Sequence, residues 1–144
     1  MNLDAPSKAD IERLAQQMIC ARQLVRGRAR EAVLDGSTRD LAALQAVLDS
    51  GALAASDTEA LQALGAAFGA VLIGVFPGLD WAIITDEYGR DATIRYQEMS
   101  ITLNVIDMIC RRIEDGEAVD LTALMDLLVQ RLPGLISEAG YSEN

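Results

Sequence analysis

The chain has 144 residues, 51% of them apolar and only 4% aromatic, enough for one domain with a core of Ala, Leu, Ile and Val. Its formal net charge is −10, a field that repels phosphate backbones and so disfavours general nucleic-acid or anionic-membrane binding. Histidine is absent and Lys8 is the only lysine, which removes His-based acid–base chemistry, most zinc and haem sites, and a desolvated catalytic lysine.

In chain order, Ser7 and Asp10 form a capping box for a first helix. Its buried stripe runs Leu14, Met18, Ala21, Val25, Ala29 and Ala32, which predicts a helix to about Leu34 with Gly36 as its left-handed cap. Gly27 is a place for a kink. Arg22, Arg26 and Arg30 stand four apart on this helix, where like charges repel unless acids or water offset them. A second helix covers 38–49 and ends at Ser50-Gly51. A third begins at a Ser56–Glu59 capping box and runs to Phe76, where Pro77 and Gly78 stop it. Its apolar part, Ala60 to Phe76, reads as the central buried helix, with a membrane span a distant second. Within it "GAAFG" (65–69) places small residues where another backbone approaches.

The period then changes from helix to strand. Leu79–Thr85, Asp91–Tyr96 and the alternating "MSITLN" (99–104) read as a three-stranded antiparallel meander. Between the first two lies "DEYGRD" (86–91), with Gly89 suited to positive φ and Asp86 to hydrogen-bonding the turn. Trp81 is a core anchor in this pattern, in preference to a ligand-stacking partner of Tyr96. Asn104 with Asp107 caps a short helix, 105–114, whose last turn holds Arg111 and Arg112 and which Gly116 ends. Asp120 caps a last helix ending at Pro133-Gly134. Residues 1–7 and 137–144 are expected to be loose. Helices, a small sheet, then two more helices make one α+β domain over 1–144.

Cys20 and Cys110 sit in apolar helical contexts without CxxC spacing, which points to buried, reduced thiols and a cytoplasmic location. The polar, acidic N-terminus is no signal peptide. From Asp80 onward there are 13 acids and 5 bases, against 9 and 7 before it, so the acidic character lies in the second half.

That half holds two acidic groups: Asp86, Glu87 and Asp91 at the hairpin, and Glu114, Asp115 and Glu117 in "RRIEDGEAVD". The hairpin, with Tyr88 and Arg90, and the second group are the expected contact surface for a protein partner, basic in character. No cofactor, nucleic acid or membrane is expected, and the chain is a monomer or homodimer. The expected function is a small acidic non-enzymatic protein-binding domain, in one version an immunity or adaptor protein for a bacterial effector. The alternative is a carboxylate-based metal-binding or hydrolytic domain, which requires the two acidic groups to meet.

With "WAIITDEYG" and "ICRRIEDGEAVDL" in view, the chain resembles a bacterial family of domains of unknown function. The matching positions are Trp81, Asp86, Glu87, Gly89, Arg112, Glu114, Gly116 and Glu117, within about residues 60–128. The resemblance implies an α+β fold and carries no activity.

Overall fold

The computed structural model of the chain describes residues 2–28 and 33–143. In chain order the elements are β1 (Asn2–Asp4), α1 (Lys8–Arg26), α2 (Asp40–Asp49), α3 (Thr58–Val75), β2 (Leu79–Asp86), β3 (Gly89–Tyr96), β4 (Thr102–Leu103), α4 (Val105–Glu114) and α5 (Leu121–Glu143). The strands form one antiparallel sheet in the order β1-β2-β3-β4. The fold class is α+β, with four strands among the described residues where the sequence predicts three.

The extra strand falls in the segment expected to be loose. Asn2–Asp4 pairs with Ile83–Thr85, and Leu3 is half-buried. Three residues beside a strong hairpin gain backbone pairing that no local pattern announces. Ser7 then caps α1 as predicted: its Oγ accepts from the Asp10 N–H at 3.2 Å, and Asp10 Oδ2 accepts from the Ser7 N–H at 2.8 Å. The helix ends at Arg26, well short of Leu34. Gly27 costs about 1 kcal/mol in a helix interior. Beyond it, buried Leu34 and Asp40 draw the chain elsewhere, since Asp40 accepts the Asp35 and Gly36 N–H groups at 3.1 and 2.8 Å. Gly36 does have positive φ, but it serves this turn and not the end of α1. Arg30, Ala29 and Ala32 lie outside the described residues.

Helix α3 is the centre of the core. Its buried residues include Leu61, Leu64, Phe68, Val71 and Leu72. It is long and apolar enough to cross a membrane by length and composition, yet its faces pack against α1, α4 and β2. Two glycines set that packing. A Cβ on Gly65 would stand 2.3 Å from the Ile106 carbonyl oxygen, and one on Gly69 would stand 2.7 Å from both Trp81 and Val105. The predicted Ser56–Glu59 box does not form: Asp57 takes the N-cap place, and its Oδ2 accepts the Ala54 N–H at 2.7 Å. That acid closes the preceding turn instead of capping the helix.

Three further expectations are corrected. "MSITLN" pairs only at Thr102–Leu103, since the Arg95 guanidinium donates to the Glu98 and Met99 carbonyls and folds 97–100 into a turn. Asn104 and Asp107 make no cap for α4. Asn104 Oδ1 accepts the Thr93 hydroxyl at 2.8 Å, and Asp107 Oδ1 accepts Gln62 Nε2 at 2.9 Å. Helix α5 is capped by Asp120 as predicted but runs through Pro133 and Gly134 to Glu143. Pro133 forfeits one helical hydrogen bond. Buried Leu132 and the core-packed Ile136 on either side keep the helix in register with the core.

Candidate functional site

The β2–β3 hairpin closes on the pair Asp86–Gly89, leaving Glu87 and Tyr88 as a two-residue loop. Asp86 Oδ1 accepts the Tyr88 N–H at 2.9 Å and Gly89 has φ of 123°, so both turn assignments from the sequence hold. The loop is therefore fixed by its own residues. Tyr88 is 87% exposed, the most exposed large apolar side chain among the described residues, with exposed Asp86, Glu87 and Asp91 beside it.

Arg90 has a partner within the chain. Its guanidinium pairs with Asp10, whose residue is only 5% exposed, and this ties the hairpin to the start of α1. The pair forms one wall of a cleft of about 140 Å³, lined also by Arg13, Gln17, Gln62, Asp91 and Asp107. At roughly 30 Å³ per water it takes a few waters, and it falls below the roughly 300 Å³ at which ligand pockets begin. Asp10, Arg13, Gln17, Gln62 and Asp107 were not singled out as site residues from the sequence. Asp10 reads there as a local cap, and nothing local indicates its second partner 80 residues away.

The Asp10 carboxyl is held at about 2, down from 3.8, first by the Ser7 backbone and hydroxyl hydrogen bonds and then by Arg90, against the opposing effect of desolvation. The unfolded chain therefore takes up this proton at higher pH than the folded one. The stabilisation is complete above 3.8 and is lost as pH falls towards about 2. Asp35 is also held at about 2, chiefly by Ser37, and adds to the same acid window. Asp10→Asn is expected to flatten the pH dependence of stability in that window, measured by circular dichroism during urea unfolding. An unchanged slope would show that the box carries no linked proton.

Glu114, Asp115 and Glu117 do not join the hairpin acids at the cleft. They lie at the far end of α4 from Asp107, roughly 10 Å along the helix. Glu117 pairs with Arg112 at 3.5 Å, and Gly116 takes the predicted left-handed conformation (φ 74°). Among the described residues no three His, Cys, Asp or Glu side chains converge to hold a metal ion. The cleft thus brings Asp91 together with Asp10 and Asp107 and not with the second acidic group.

The family model for a domain of unknown function, DUF3806, matches residues 40–124, more than half of the chain. The chain belongs to the DUF3806 family. The resemblance read over 60–128 is thereby confirmed, and the DUF3806 match spans α2 to the first turn of α5. It includes Trp81, the hairpin and the Arg112–Glu117 segment, while Asp10 stands outside it. A crystal structure from Bacteroides thetaiotaomicron VPI-5482, at 1.50 Å resolution, is similar with a TM-score of 0.80 and 17% identity. The likeness covers 89% of this chain and 47% of that one, so the DUF3806 chain spans about half the length of the protein it matches. At that identity the likeness shows the fold alone. No curated protein matches the chain.

Within the DUF3806 segment Trp81 packs against Gly69 and the core, and Tyr96 meets Phe76 edge to face at 6.2 Å instead of stacking with Trp81. Cys110 is buried, and its thiol is pushed up by desolvation, then by Glu114 and Asp107. Cys20, on α1, is half-buried where the sequence predicts burial, because it faces the shallow groove beside Gln16 and Glu59.

Proposed function

We propose that this DUF3806 chain is a small, acidic, non-enzymatic protein-binding domain whose contact face is the tip of the β2–β3 hairpin. Tyr88 is the anchor, and Asp86, Glu87 and Asp91 surround it with charge that suits a basic partner. The observation that carries this is the exposure of Tyr88 on a turn already fixed by Asp86 and Gly89. An aromatic ring left in water on a preorganised loop loses little conformational entropy on binding, and such rings dominate interface energetics. Arg90 serves as a brace through Asp10 and not as a contact.

Glu114, Asp115 and Glu117 add to the long-range field that brings a basic partner in, and the net charge of −10 disfavours nucleic acid. The domain acts in the bacterial cytoplasm as a monomer or homodimer. An immunity or adaptor protein for a bacterial effector is the version its size and charge suit.

A photoreactive amino acid placed at position 88 is expected to give a discrete protein adduct in cells, lost on Glu87→Lys with Asp91→Lys. The same amino acid at exposed Thr122 is expected to give none. Equal adducts from both positions, or none from 88, would contradict the assignment.

A further inference from the structure

A second surface lies at the opposite end of β2 from the hairpin. Strand β1 pairs with β2 only from Ile83 to Thr85. In that register Pro6 would fall opposite Trp81, and proline has no N–H to give, so the chain leaves the sheet and enters α1. Leu79–Ala82 thus has β3 on one side and no strand on the other, and an open slot of about 600 Å³ runs from Asp4–Pro6 past Gly78–Ala82 to Arg95 and Glu98.

The slot presents backbone as well as space. The Gln97 N–H donates to the Gly78 carbonyl at 2.8 Å, so even-numbered residues of this strand face β3 and odd-numbered ones face outward. Leu79 and Trp81 therefore turn their N–H and C=O groups into the slot. The outward Trp81 N–H is covered at 2.8 Å by the carboxylate of its neighbour, Asp80, which is exposed. Such a cap guards an open edge against chance pairing, and an incoming carbonyl can replace it.

The charge of the slot selects the visitor. Asp4, Asp80 and Glu98 line it. Its one cation, Arg95, is committed to the carbonyls of Glu98 and Met99. A second copy of this chain would bring the same three acids to an already acidic surface. We infer that the slot is a strand-addition site for an extended basic segment of another protein. That segment would pair with Leu79 and Trp81, displacing Asp80, whose freed carboxylate then meets a lysine or arginine of the segment.

This site is independent of the hairpin reading, and Trp81, the only tryptophan, reports on it directly. The probe is the blocked peptide acetyl-Lys-Val-Lys-Val-Lys-amide, titrated while Trp81 fluorescence is followed. A saturable change is expected that weakens with salt and disappears when alternate peptide nitrogens are methylated. Asp80→Lys, and Glu98→Lys at a fully exposed side chain where folding is not at stake, are expected to weaken it by about tenfold or more. Tyr88→Ala is expected to leave it unchanged. The inference is overturned by no saturable change, by equal binding of the methylated peptide, by an inert Glu98→Lys, or by loss of binding in Tyr88→Ala.

Discussion

Gly65→Ala is expected to destabilise the protein by about 2 kcal/mol, although alanine is the better helix former by about 1 kcal/mol. The new methyl would stand 2.3 Å from the Ile106 carbonyl oxygen, which is backbone and cannot rotate aside. Helix α4 would have to move off α3, and the packing of Val105 and Ile109 would go with it. Gly134→Ala is the control: its Cβ meets nothing within 4 Å, so only the entropic gain of about 0.5 kcal/mol remains. Urea unfolding of the two variants separates close packing from helix propensity. Equal and favourable shifts would mean that α3 and α4 do not approach at Gly65.

The second large effect concerns Phe68, one of two phenylalanines and fully buried in the core. Phe68→Ala is expected to cost about 3–5 kcal/mol, from lost transfer energy and the cavity left behind. Against a typical total of roughly 5–15 kcal/mol, that is a large share for one side chain. Few aromatics exist to refill the space, and the surrounding Leu, Val and Ala side chains are already close-packed. A loss below about 1 kcal/mol in denaturant unfolding would show that α3 is not the centre of the core.

What could be read from the residues alone follows the range of the interactions. The Ser7 box, the Asp120 cap, the hairpin turn and the buried face of α3 are set by neighbours within a few positions, and their patterns are in the chain. Asn104 and Asp107 failed as caps because a distant partner offered more. Asn104 serves Thr93, and Asp107 serves Gln62. Pro133 is a local stop signal overridden by Leu132 and Ile136 on the core side of α5. Strand β1 is too short to show a period and exists because β2 offers it an edge. At the site, Gly89 and Asp86 were legible as turn residues. The commitment of Arg90 to Asp10 was not, since the two are 80 residues apart and come together only in the folded chain.

The binding assignment rests most directly on Tyr88. With the partner trapped at position 88 in hand, its affinity for the wild-type chain and for Tyr88→Ala can be compared by calorimetry. A hot-spot aromatic is worth about 2 kcal/mol or more, so the variant is expected to bind about 30-fold more weakly. Because the ring is 87% exposed, thermal unfolding is expected to stay within about 0.5 kcal/mol of wild type. Unchanged affinity in a stably folded Tyr88→Ala would contradict the hairpin as the contact face.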